Sequence, residues 1–151
     1  MFIDTHCHLY DAYFHDRKDE VETRALAAGI QTILLPNINV DSLEALDNVQ
    51  NHYAGLRIER MIGLHPCYVK EDWRDQLDQI EAHYQKNATN YLAVGEIGMD
   101  LYWDTSTESM QVEALNRQLD WAVEWDLPIA LHVRNSFKQL FPVLEEAQER
   151  H

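Results

Sequence analysis

No apolar run in the 151 residues approaches the ~20 that a membrane span needs. Met1-Phe2-Ile3-Asp4 leads straight into structure, without the basic stretch followed by an apolar one that marks an export signal, so the expectation is a cytoplasmic protein with no membrane role. Cysteine is scarce. Cys7 and Cys67 sit in separate apolar segments, which fits reduced thiols better than a disulfide framework. Positive charge is scarce too: 12 Lys and Arg face 26 Asp and Glu, for a net charge of −14. That balance speaks against a duplex-coating protein or a polybasic membrane-surface protein, and leaves nucleic acid open as a substrate. No Ser/Gly/Pro-rich linker or low-complexity stretch divides the chain, so residues 1–151 are read as one domain. With 46% hydrophobic residues, that length can bury a core without disulfide or metal staples.

What is present is an alternation of short β-branched or apolar runs with stretches of helical period, the pattern of βαβ units in a parallel sheet. The expected strands are Phe2 to His6, Thr32 to Pro36, Arg60 to Leu64, Leu92 to Glu96 and Ile129 to Val133. Between them, Trp73, Leu77, Ile80 and Tyr84 make one helical stripe, and Val112, Leu115, Leu119, Ala122 and Val123 make another. Asp41 or Ser42 is expected to cap a helix carrying Leu43, Leu46 and Val49, and Gly29 to follow the first helix in a left-handed conformation. Pro142 should start or kink the last helix. Five βα units amount to part of a (β/α)8 TIM barrel, whose closed form needs about 250 residues. The first and last strands would carry open edges, through which the chain can self-associate.

The strand ends carry chemistry. His6 and His8, two apart on an extended segment, face one side while Cys7 faces the other. Such a pair is either the start of a metal site or two polar residues leaving a strand. Asp4 shares their parity; it either orients an imidazole from behind or forms a salt bridge at the barrel floor. Glu96 ends the fourth expected strand, His132 the fifth, and His65 follows the third. In a parallel barrel those ends gather at one mouth, and three strands ending in His with a fourth ending in Glu point to a metal site. Arg134 can hold a substrate phosphate or form a rim salt bridge. Tyr102 and Trp103 can stack on a base or sugar, or pack over the mouth. His15, His52, His83 and His151 read as solvated, as do the charged runs Lys18-Asp19-Glu20 and Glu145-Glu146.

Asp4-Thr5-His6-Cys7-His8-Leu9, Gly63-Leu64-His65-Pro66, Gly95-Glu96-Ile97-Gly98-Met99-Asp100 and Leu131-His132-Val133-Arg134 resemble, in order and spacing, the motifs of TatD-type metal-dependent deoxyribonucleases. The resemblance implies a TIM-barrel hydrolase that cleaves phosphodiester bonds of DNA by metal-activated water, with one or two divalent ions (Mg, Mn or Zn). It implies that His6 and His8 hold one ion, that Glu96 bridges two, and that His132 holds the second, with His65 and Arg134 on the substrate. The family's later strand-end His and its Thr-Asp motif, the source of the general-base Asp, have no counterpart in these residues. The alternatives are a related barrel hydrolase acting on C–N or ester bonds, and a truncated non-catalytic module that associates through its edges.

Overall fold

The computed structural model describes residues 1–49 and 53–150, so His52 and His151, expected to be solvated, lie outside the described residues. Strand and helix alternate throughout: β1 Phe2–Asp4, α1 Lys18–Ala27, β2 Ile30–Pro36, α2 Leu43–Asn48, β3 Arg57–Ile62, α3 Trp73–Asn87, β4 Tyr91–Asp100, α4 Glu108–Glu124, β5 Ile129–Arg134 and α5 Phe137–Arg150. All four strand pairings are parallel, in the order β1-β2-β3-β4-β5, so each helix returns the chain to the same end of the sheet. The result is the expected partial barrel, an α/β arc of five βα units.

The helix stripes bury as their spacing predicts. Trp73, Leu77, Ile80 and Tyr84 of α3 are all buried, and the aliphatic pair Leu77 and Ile80 contributes about 1.5–3 kcal/mol each. On α4 the stripe differs from expectation. Val123 is exposed, while Gln111 and Gln118 take buried positions. They do so because both amides bond backbone: Gln118 Oε1 accepts from Leu64 N at 2.6 Å, and Gln111 Oε1 accepts from Asp100 N at 2.8 Å. These bonds tie α4 to the ends of β3 and β4, where the functional side chains lie.

Gly29 has φ +80°, as its place after α1 predicts. The cap expected at Asp41 or Ser42 sits earlier. Asn39 caps a 3-10 turn over Val40–Ser42, its side chain accepting from Ser42 N at 3.0 Å. The fifth helix begins at Phe137 and carries Pro142 inside, instead of starting at the proline.

Candidate metal centre

Strand boundaries differ from the sequence reading in ways that shape the site. β1 stops at Asp4, whose Oδ1 accepts from His6 N at 3.1 Å, a turn that takes His6 and His8 out of the sheet. Asp4 therefore shapes the backbone and bonds neither imidazole ring. β4 runs on past Glu96 to Asp100, and β5 past His132 to Arg134. Between Val94 and Ile97, β4 advances three residues while β5 advances two, from Ile129 to Leu131. The extra residue is a bulge, which re-aims side chains locally. The Gly95–Glu96 peptide within it is cis. Glu96 N is bonded instead to Asn37 O at 3.1 Å, and Asn37 N is shared between Met61 O and Gly95 O, each at 3.2 Å.

This geometry brings His6, His8, Glu96 and His132 together. Glu96 Oε2 lies 3.1 Å from His6 Nε2 and 4.0 Å from His8 Nε2; Oε1 lies 3.1 Å from His132 Nδ1. The Nε2 atoms of His6 and His8 are 3.3 Å apart. His65 joins them, its Nε2 3.0 Å from His132 Nδ1 and 3.8 Å from Glu96 Oε1. The Glu96 side chain is only 9% exposed, so these imidazoles replace most of its water.

Hydrogen bonds made behind the rings decide which nitrogen faces the carboxylate. Tyr10 donates its hydroxyl to Pro36 O at 2.6 Å, so toward His8 Nδ1, 2.7 Å away, it can only accept. The hydrogen of neutral His8 is thereby on Nδ1, and the Nε2 lone pair points toward Glu96. His132 Nε2 donates to Asp100 Oδ2 at 2.8 Å, which leaves the Nδ1 lone pair facing Glu96 Oε1. Lone pairs aimed at a carboxylate repel it unless a cation lies between, so this donor set fits a divalent ion, with ligand atoms of His6, His8 and Glu96 all within 4.8 Å of one another. Ligand atoms of His65, Cys67 and His132 come equally close. There, however, His65 Nδ1 accepts from Cys67 N at 3.1 Å, so the hydrogen of its neutral ring sits on Nε2 and is presented to the centre as a donor.

Titration follows the same contacts. Burial pushes the Glu96 carboxyl up, but the hydrogen bond from His132 and the imidazoles of His65 and His6 outweigh it, and its pKa is lowered. The His132 pKa is raised, chiefly by its bond to Glu96, against burial and with help from Asp100. Burial lowers His8, and brings His65 down to about 4. Cys67 goes the other way, to about 11, through burial and the neighbouring Asp100 carboxylate.

Three contributors escaped the sequence reading. Asp100 was passed over because β4 was expected to end at Glu96; its buried carboxylate bonds His132 and accepts from Tyr102 N at 3.0 Å. Tyr10 and Asn37 lie in no strand or helix stripe, and the backbone acceptors that fix them, Pro36 O and Gly63 O, are each 26 residues away. Asn37 is fully buried, its Nδ2 donating to Gly63 O at 2.8 Å and its Oδ1 accepting from Ser42 Oγ at 2.7 Å. Arg134 is the register partner of Asp100 and, among the described residues, pairs with no carboxylate. Its guanidinium carbon stands 3.7 Å from the centroid of Tyr102 and 5.1 Å from that of Trp103, and both rings are exposed instead of packed over the mouth. His83 is not a solvated residue: it sits 2.9 Å from Asp47 Oδ2 and 3.0 Å from Tyr91 Oη, linking α3 to β4 and α2. His15 is exposed, as expected.

Comparison with known proteins places the chain. It is 33% identical over 143 residues to the metal-dependent hydrolase YjjV of Escherichia coli K12, covering 92% of this chain and 53% of that protein. It is 28% identical over 137 residues to the 3'-5' ssDNA/RNA exonuclease TatD of Citrobacter koseri, covering 91% and 51%. The crystal structure of YjjV, a TatD homologue, superposes with a TM-score of 0.86 at 29% identity, over 97% of this chain and 56% of that one. A TatD-family hydrolase structure from Entamoeba histolytica, at 22% identity and a TM-score of 0.82, shares the fold. The chain spans about half the length of the curated relatives it matches. No helix among the described residues is long and apolar enough to cross a membrane. The family profile described as TatD related DNase matches residues 3–151, and the chain belongs to that metal-dependent family.

Proposed function

We propose that residues 1–151 form a single domain carrying the metal-binding half of a cytoplasmic phosphodiesterase that cleaves DNA. The observation that carries this reading is the aim of the lone pairs of His8 and His132 at one buried carboxylate. His6, His8 and Glu96 would hold one divalent ion, and Glu96 and His132 a second. Mixed imidazole and carboxylate donors suit Mg, Mn or Zn. Ions bound there would supply Lewis-acid polarisation of a phosphoryl oxygen and acidify a water.

The chain's own residues do the rest. Asp100 and Tyr10 hold His132 and His8 in the tautomer that leaves a lone pair toward the centre. His65, low in pKa and therefore neutral, offers its Nε2 hydrogen to a phosphate oxygen. Arg134, with no carboxylate partner among the described residues, is free to pair with the next phosphate along the strand. The name of the Citrobacter relative supports a single-stranded substrate. Exposed apolar side chains at both edges, Phe2 and Ile3 on β1 and Ile129 and Leu131 on β5, support an edge contact in the working protein, by self-association or by further βα units.

Manganese titration by calorimetry, together with cleavage of a single-stranded oligonucleotide, tests the reading. Glu96→Gln should weaken manganese binding by the chain at least about tenfold and, in a complete enzyme carrying these residues, abolish metal-dependent cleavage. Cleavage that survives in Glu96→Gln overturns the assignment.

A further inference from the structure

The loop after β4 puts two large aromatic rings in water. Trp103 is 71% exposed and Tyr102 51%, an arrangement that costs hydrophobic free energy unless something covers them. The rings meet edge to face, centroids 4.7 Å apart at 89°. Arg134 lies over Tyr102 and leans toward Trp103. The assembly is anchored: Leu101 N donates to Arg134 O at 3.0 Å, Tyr102 N bonds Asp100, and Asp100 bonds His132. Asp100 and Arg134 are register partners on β4 and β5, two residues beyond the pair Gly98 and His132. The platform is thus connected to the donor cluster through the residue that orients His132.

We infer that Trp103, with Tyr102 and Arg134, is a stacking platform for an unpaired base of a single-stranded nucleic acid whose phosphate enters the donor cluster; this rests on the phosphodiesterase reading of that cluster. Indole is the side chain best suited to stacking on bases and to cation–π contact. The occupant must also answer an unpaired guanidinium in a chain of net charge −14, which selects an anion bearing flat rings over an apolar peptide. Bases inside a duplex have their faces covered by neighbouring pairs, so only an unpaired base can occupy the platform without prior melting. Tyr102 holds Arg134 in place, and the indole face turned away from Arg134 receives the base.

Binding of a labelled deoxyadenosine hexamer and of an abasic hexamer with the same phosphates, followed by fluorescence anisotropy of the 151-residue chain in EDTA, tests this. The adenine hexamer should bind about tenfold tighter than the abasic one, the value of one stacked base. Trp103→Ala should erase that preference and leave abasic binding unchanged, while Trp103→Phe keeps most of it. Circular dichroism of each variant controls for folding. Equal affinity for the two hexamers, or a preference that survives Trp103→Ala, overturns the platform. Failure of the phosphodiesterase reading looks different: base preference persists in EDTA, yet calorimetry shows no manganese bound by the chain.

Discussion

Asp100 Oδ2 lies 2.8 Å from His132 Nε2, on the opposite side of the imidazole from the nitrogen that faces Glu96. That pairing fixes the orientation of a titratable ring, because the carboxylate can only accept. Its other oxygen takes the Tyr102 N–H, so both ends of the carboxylate are committed.

Replacing Asp100 by Asn keeps the shape and removes this control. The new amide oxygen must still answer Tyr102 N–H, which turns the NH2 toward His132 Nε2 and drives the ring hydrogen to the side of Glu96. Manganese affinity should fall 10- to 100-fold with urea stability little changed. Imidazole nitrogen NMR shifts report the tautomer directly; an unaltered His132 tautomer together with unaltered affinity would refute the role.

Gly98 has φ +139°, and a Cβ there would run into the His132 carbonyl oxygen. Both the backbone conformation and the close approach of β4 to β5 therefore require glycine. Gly98→Ala should destabilise the chain by roughly 3 kcal/mol or more, read from urea unfolding, and should weaken metal binding because His132 is displaced. A stability loss below about 1 kcal/mol would show that the strands part without penalty.

His65 supplies a pH signature in the metal-free chain. Its native pKa is about 4, against 6.5 for the ordinary imidazole. Above 6.5 the ring is neutral in both folded and unfolded states and contributes nothing pH-dependent. As pH falls from 6.5 toward 4 the unfolded state takes up a proton that the folded state refuses, and stability drops. His65→Gln removes this contribution, so the wild type should lose stability relative to the variant over that window. His132, with its raised pKa, acts in the opposite sense, and because it touches His65 the comparison reads the change in the pair. Parallel pH profiles for the two proteins would contradict the buried neutral assignment.

The five strands, the two helix stripes over Trp73 to Tyr84 and Leu115 to Ala122, and the four clustered side chains were legible because each depends on local periodicity or on where apolar runs end. What was not legible depends on contacts across the sheet. β3 starts at Arg57 instead of Arg60 because Arg57 and Glu59 pair with each other in solvent while Ile58 turns inward, a pattern masked by its charge. Asp100 falls beyond the expected end of the fourth strand because nothing local shows that a bulge at Glu96 lets the strand continue. His83 looked solvated because Asp47 and Tyr91, which bond it, are 36 and 8 residues away.

Asn37 follows β2, yet its main chain holds both β3, through Met61 O, and β4, through Gly95 O and Glu96 N. Strands two places apart can share one residue only where the sheet curls steeply. The bonds are main chain to main chain and act as a drawstring at this rim of the arc, with the buried Asn37 side chain holding the residue in place. Glu96, the carboxylate at the middle of the donors, is itself one end of that drawstring through its main-chain nitrogen.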